Sequence, residues 1–195
     1  MKDRILLIGA RGYLGSHLLD ILVQDYDVEI FEGVVENILN FEKYFQHDFS
    51  YIFHFGSPNN DSNLHKLESL EIGTRNCIAF ANQQKAKLIY ASTKGIMMEH
   101  KNRYEQLKKN CTVEVRHSAA SYVCLLIPRV YSRDRNHGLI KAIKDGKSLD
   151  SKNIVYLTIH KFIHQTLKAM KLKNICYNYN NSNIKSIDEI KKWIL

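Results

Sequence analysis

A chain of 195 residues carrying a net charge of +8 is long enough for one domain with a buried core, or one domain with a small appended lobe. Its 45% apolar and 25% charged composition is that of a globular protein and excludes a fibrous or low-complexity chain. No apolar run reaches membrane-spanning length, and "MKDRILLIGARG" is too short and too soon glycine-rich for a signal peptide, so no membrane is expected and the expected location is cytoplasmic.

In chain order the elements alternate. Arg4–Gly9 reads as a buried strand. Leu14–Asp25 reads as a helix with Leu18, Leu19, Leu22 and Val23 on one stripe. Asp27–Glu32 and Tyr51–Ser57 read as strands, Leu67–Gln84 as a helix, Lys87–Ser92 as a strand and Asn102–Asn110 as a helix. Ser121–Tyr131 reads as a strand that Pro128 terminates. A short helix over His137–Leu149, a strand at "NIVYLTI", a helix at "HKFIHQTLKAMK" and a strand at "ICYNYN" follow. A last helix, "SIDEIKKWIL", has Ser186 and Glu189 at capping-box spacing. Continuous apolar strands alternating with helices predict an α/β chain: a Rossmann-type doubly wound parallel sheet covered on both faces. A reduced C-terminal lobe is expected over roughly 133–195.

"GARGYLG" sets Gly9, Gly12 and Gly15 between the first strand and the first helix. Gly9 permits the tight turn, Gly12 lets a pyrophosphate approach the backbone, and Gly15 lets the helix pack close to the strand. The amides of this loop, including Tyr13 and Leu14, then face the phosphate charge at a helix N-terminus. Dinucleotide binding is the expected role. The next strand ends at Glu32, whose carboxylate suits the hydroxyls of an adenosine ribose and repels a 2′-phosphate, which favours NAD. Arg11 in the loop pulls towards NADP, because a guanidinium grips phosphate.

Four cysteines, Cys77, Cys111, Cys124 and Cys176, form no C-x-x-C pair, and three of them read as small core residues. His160 and His164 are four apart on an expected helix, but Lys161 stands where zinc hydrolases need Glu, so no metal site is expected. The charge is uneven. Residues 1–98 carry nine basic and twelve acidic side chains, whereas residues 99–195 carry nineteen and eight. No DNA- or RNA-binding motif accompanies the basic half. The preferred acidic partner is a small diphosphate-bearing substrate, not nucleic acid.

Two Tyr-x-x-x-Lys spacings occur, Tyr90/Lys94 and Tyr104/Lys108. Tyr90 lies within a strand whose end separates it from its lysine. Tyr104 and Lys108 share a helix face, and they follow the hydroxyl pair Ser92-Thr93. With the motifs taken together, the chain resembles the extended short-chain dehydrogenase/reductases, the NAD-dependent epimerase/dehydratase group. "GARGYLGSHL" resembles the cofactor loop. In "YIFHFGS", Phe55, Gly56 and Ser57 stand for the family's Leu-Ala-Ala. "IGTRNCIAFA" is similar to Val-x-Gly-Thr-x-Asn-Leu-Leu, "YASTKGIMM" to Tyr-Ala-Ser-Ser-x-x-Val-Tyr-Gly, and "LLIPRVYS" to Leu-Arg-x-Pro-Asn-Val-Tyr-Gly.

The resemblance implies a catalytic set of Thr93, Tyr104 and Lys108. Tyr104 is the general acid/base, Lys108 holds the nicotinamide ribose, and Thr93 hydrogen-bonds the reacting oxygen. A tyrosine of ordinary pKa near 10 needs help at neutral pH. An ammonium about 5 Å away contributes roughly 3 kcal/mol at an effective dielectric of about 20, or about two pKa units. By the same resemblance Phe55, Gly56, Ser57 and Pro128 line the cofactor, and Arg129, Arg133 and Arg135 meet the substrate diphosphate, for which guanidinium forks are suited. The implied activity is NAD(P)-dependent oxidoreduction or epimerisation of a nucleotide-linked sugar for a surface polysaccharide, by a homodimer pairing the helices around Tyr104.

The chain departs from the family in places. The interval from Thr93 to Tyr104 is short. Little room remains between Glu32 and Phe41 for the usual helix and strand, so the adenine pocket is abbreviated, with Asn37 and Ile38 as its contacts. Lys94 and Gly95 stand where dehydratases carry an acidic pair, which argues against a 4,6-dehydratase. A non-catalytic dinucleotide-binding sensor and a small-carbonyl reductase are the alternatives.

Overall fold

The structure is a computed structural model that describes residues 2–58, 64–99, 102–132, 153–180 and 183–186, together with 141, 144 and 145. Its centre is a six-stranded sheet in the order β2-β1-β3-β4-β5-β8. The strands are β1 (Arg4–Ile8), β2 (Asp27–Ile30), β3 (Tyr51–His54), β4 (Lys87–Thr93), β5 (Tyr122–Ile127) and β8 (Ile175–Asn178). Every neighbouring pair in it is parallel. A second sheet, in the order β6-β7-β9, is built from β6 (Arg129–Tyr131), β7 (Asn153–Thr158) and β9 (Asn183–Ser186).

Alternate residues of the long strands feed two cores, as the period of two requires. Leu6, Ile8, Ile52, Leu88, Tyr90 and Cys124 face one side. There they meet Cys77, Ile78 and Phe80 of α2 (Leu64–Gln83) and Cys111 and Val115 of α3 (Arg103–Ser118). Ile5, Leu7, Phe53, Ile89, Val123 and Leu125 face the other. They meet Leu18 and Leu22 of α1 (Tyr13–Asp25) and Phe162 and Ala169 of α4 (Ile159–Ala169). Burial on both faces explains why the central strands read as unbroken apolar runs.

The abbreviated stretch after β2 is filled by aromatic rings. A 3-10 helix, Ile38–Tyr44, buries Phe41 and Tyr44. Phe31 stacks on Tyr44 at 5.3 Å, and Phe41 packs at 5.0 Å from Phe80. The Tyr44 hydroxyl closes the end of β2 by accepting the Glu32 N–H at 2.7 Å and donating to the Ile30 carbonyl at 3.2 Å. One phenol thus satisfies backbone groups that a further strand would otherwise pair.

Four expectations are corrected. Val23 is 48% exposed, so the buried stripe of α1 is Gly15, Leu18 and Leu22. The strand expected over Ser121–Tyr131 does end at Pro128, which has no N–H to donate, but Arg129–Tyr131 is a separate strand, β6, set against β7 in the second sheet. α3 runs on to Ser118, because Leu107, Cys111 and Val115 continue one buried stripe at four-residue spacing. Ser186, expected at a helix start, is the last residue of β9, and the helix expected after it lies outside the described residues. So does nearly all of the helix expected at His137–Leu149, of which Lys141 and Asp145 are joined by a 3.3 Å ion pair. Among the described residues no helix is long and apolar enough to cross a membrane.

Candidate active site

The chain order reverses between β1 and β3, because β2 pairs on the far side of β1. In an open parallel sheet, the crevice beyond the carboxyl ends of the strands at such a point receives ligands. Gly9 opens the loop there with φ +88°, and a Cβ on it would lie 2.5 Å from the Gly56 nitrogen beyond β3. A Cβ on Gly15 would overlap the Gly9 carbonyl oxygen. Both positions therefore demand glycine, one to let β1 leave beside β3 and one to let α1 start against the loop. Gly12 is the N-cap of α1; no side chain caps it, and the first turn carries no acidic residue. A helix start of this kind, with neither a side-chain cap nor an acidic residue, favours an anion. Arg11 is exposed beside them, Leu14 is half-buried, and the Tyr13 hydroxyl is hydrogen-bonded to that of Ser132 beyond β6.

Glu32 sits just past β2, exposed, with its carboxylate 3.1 Å from Lys43 Nζ. Asn37 uses its side-chain oxygen to accept the Leu39 N–H at 3.1 Å and so caps the 3-10 helix; Ile38 beside it is 44% exposed. Phe55, Gly56, Ser57 and Pro128 are half-buried, and the Phe55 ring packs at 6.2 Å from Phe162. Arg129 is exposed at the start of β6, whereas Arg133 and Arg135 lie outside the described residues.

β4 ends on Thr93, which caps a 3-10 turn (Lys94–Met97) by accepting the Gly95 N–H at 3.2 Å. Its own O–H proton is not used in that bond. Ser92 points the other way and is buried, with its hydroxyl 2.7 Å from that of Thr112. α3 begins with a capping box: the Asn102 side chain accepts the Glu105 N–H at 2.8 Å, and Glu105 accepts the Asn102 N–H at 3.2 Å. The Glu105 carboxylate also packs over Gly95, so the turn after Thr93 and the start of α3 are held together. The Asn-x-x-Glu pattern was readable in the sequence as a capping signal.

Tyr104 lies in the first turn fixed by this cap, half-buried against the α2/α3 core. One helical turn on, Lys108 is only 2% exposed. Its ammonium donates to the Ala91 carbonyl at 2.7 Å and lies 4.8 Å from the centre of the Tyr90 ring. Burial brings its pKa down to about 8. Packed beside it are groups that sequence reasoning missed. His54 is buried at the end of β3, 3.4 Å from the Thr74 hydroxyl, and burial together with the Lys108 charge brings its pKa down to about 3. It is therefore neutral. The Tyr90 ring is 5.6 Å from that of His54, and burial raises its phenol well above the ordinary value. The signal for this cluster was a polar residue at an inward strand position, His54 after Phe53 and Tyr90 after Ile89. The lysine that pairs with Tyr90 is Lys108 from α3, not Lys94.

No protein-family model matches this chain, and no curated protein matches it. Solved structures do. UDP-glucose 4-epimerase of Thermotoga maritima, with UDP-glucose, aligns over 98% of this chain and 81% of its own, with 17% identity and a TM-score of 0.80. dTDP-4-dehydrorhamnose reductase of Bacillus anthracis, in complex with NADP, aligns over 100% and 80%, with 21% identity and a TM-score of 0.83. The Bordetella bronchiseptica enzyme WbmG, in complex with NAD, aligns over 100% and 77%, with 16% identity and a TM-score of 0.84. The fold of this chain is the Rossmann-type fold of those epimerases and reductases, as the sequence resemblance implied.

Proposed function

We propose that this chain is a shortened NAD(P)-dependent enzyme that oxidises, reduces or epimerises a nucleotide-linked sugar. The observation that carries the reading is the convergence at one sheet edge of two features. One is a glycine loop that opens a helix with no side-chain cap and no acidic residue in its first turn. The other is a buried ammonium, Lys108, delivered beside the end of β4 by the helix that also bears Tyr104. Neighbours of the same fold were solved with NAD, NADP or UDP-glucose, which supports the cofactor and the substrate class.

The fit to a dinucleotide rests on this chain's own residues. Side chains at Gly9 and Gly15 would close the loop, and the uncapped first turn of α1 offers amide donors to a diphosphate. Arg11 adds charge beside it. Glu32 is placed for the adenosine ribose, and Lys43 offsets its charge. NAD is the preferred cofactor, with NADP tolerated for that reason. The nicotinamide group, when bound, supplies a hydride acceptor and donor.

Tyr104 takes the proton of the sugar hydroxyl, or returns it in the opposite direction. Lys108, held by its N–H on Ala91, is assigned to the nicotinamide ribose and to stabilising the Tyr104 phenolate. Thr93, whose oxygen accepts from Gly95, donates its proton to the reacting oxygen. Lys94 and Gly95 follow Thr93, and the Glu105 carboxylate over Gly95 is committed to the α3 cap, which argues against 4,6-elimination. Arg129, Arg133 and Arg135 are assigned to the substrate diphosphate.

One observation favours a non-catalytic dinucleotide sensor: Lys108 is sealed between Ala91 and Tyr90. A thermal-shift series separates the two. NADH should raise the Tm, and one member of a nucleotide-sugar panel should raise it further and turn over. A shift with cofactor alone, and no turnover with any sugar nucleotide, would leave the sensor reading standing.

A further inference from the structure

β5 and β8 lie side by side at one edge of the six-stranded sheet, and their register sets Cys124 directly against Cys176. Paired residues of neighbouring strands project to the same face. Here it is the α3 side, where Cys124 packs in the core with Cys111 and Val115. Neighbouring strands run about 4.8 Å apart, inside the roughly 4.4–6.8 Å between Cα atoms that a disulfide spans. Among the described residues β8 has a strand partner on one side, β5.

The two thiols differ in access. Cys124 is fully buried and Cys176 is exposed on the edge strand. Arg116, in the last turn of α3, places a guanidinium charge near both sulfurs. The two neighbouring thiols act on each other, which lowers the pKa of Cys176 and raises that of Cys124. An exposed sulfur with a neighbouring cation is the reactive kind; a desolvated thiol without one is inert. Cys77 and Cys111 are of the inert kind, buried and pushed up by burial.

We propose that Cys176 is a site of oxidative modification and Cys124 its resolving thiol, so that a hydroperoxide converts the pair into a disulfide joining β5 to β8. The Cys176 thiolate attacks the terminal peroxide oxygen, the O–O bond breaks, and the alkoxide leaves as an alcohol with a proton from solvent. Cys176 is then a sulfenic acid. The Cys124 sulfur attacks the sulfenic sulfur, the S–S bond forms and the S–O bond breaks. The Cys124 proton goes to the departing hydroxide as water. In sum two thiols lose two electrons and two protons, and the peroxide is reduced to an alcohol and water. A disulfide with one sulfur on an exposed strand is within reach of a thiol reductant, so the modification is reversible. The site does not depend on the proposed dinucleotide chemistry.

The test treats the full chain with hydrogen peroxide, blocks remaining thiols with iodoacetamide, and reads the mass of the chain and of its peptides. The expected result is loss of two hydrogens, a cross-linked peptide holding Cys124 and Cys176, and recovery with dithiothreitol. Cys176→Ser abolishes the cross-link. Cys124→Ser stops at a sulfenic acid that dimedone traps. Should Cys124→Ser fail to fold, the alkylation rate of the unaltered chain decides. At pH 7 Cys176 should react a few-fold faster folded than unfolded in urea. An ordinary rate with no cross-link overturns the proposal. Dimedone-trapped Cys176 in the unaltered chain, without a cross-link, overturns the role given to Cys124.

Discussion

The glycine loop and the corner where β4 meets α3 stand at the same sheet edge but are specified in different ways. The loop is a backbone device. Its geometry follows from φ +88° at Gly9 and from the absence of any side chain at Gly9 and Gly15. The corner is a side-chain device, in which an ammonium is held by a carbonyl and a ring in the company of a neutral histidine. The loop is insensitive to pH and intolerant of volume. The corner is the reverse, because burying an unpaired cation makes its charge the weakest term in the site.

The largest expected effect belongs to Tyr104→Phe, which should cut turnover by about 10²–10⁴-fold while leaving dinucleotide affinity within a few-fold. Steady-state kinetics with a parallel binding titration checks both halves, and unchanged turnover removes Tyr104 from the mechanism. Gly9→Ala should break the other region. The added methyl meets the Gly56 backbone in a left-handed conformation, costing on the order of 2 kcal/mol or more and at least tenfold in dinucleotide affinity. Urea unfolding and NADH binding would show it, and a normal result for both would deny the loop its steric role.

Lys108→Met should separate stability from function. Removing a buried ammonium raises the Tm by a few degrees while turnover is lost. A drop in Tm would mean that the charge is well compensated. In the unaltered chain the cation of Lys108 is present below about pH 8 and lost above it, so turnover should decline as pH rises through about 8. Stability moves the other way. Between about 8 and the unfolded value of about 10.4 the unfolded chain binds more protons, so this group makes unfolding less favourable as pH rises. The smallest effect is expected at Lys43→Glu, which should shift the NADH-to-NADPH affinity ratio a few-fold towards NADH by removing the partner of Glu32.

This difference also decides what the sequence showed. The glycine loop was legible because its geometry is local: strand, turn and helix follow one another within "LLIGARGYLG". The central strands were legible because burial on both faces leaves them uninterrupted. The corner was only half legible. Tyr104 and Lys108 stood out by spacing, but the burial of Lys108 under Tyr90 depends on strands and helices distant in sequence. The break at Pro128 was legible, but the separate strand after it was hidden for the same reason, since β6 pairs with the distant β7. Asn37, expected at the adenine, also caps its own 3-10 helix through its side-chain oxygen, a local use of the side chain that its spacing alone did not show.

Hydrogen–deuterium exchange of the full chain with and without NADH tests most directly whether loop and corner form one site. The account predicts that saturating NADH slows exchange together at the amides of Gly12–Gly15 and of Ala91–Thr93. Protection of the loop alone, or of neither segment, would contradict it.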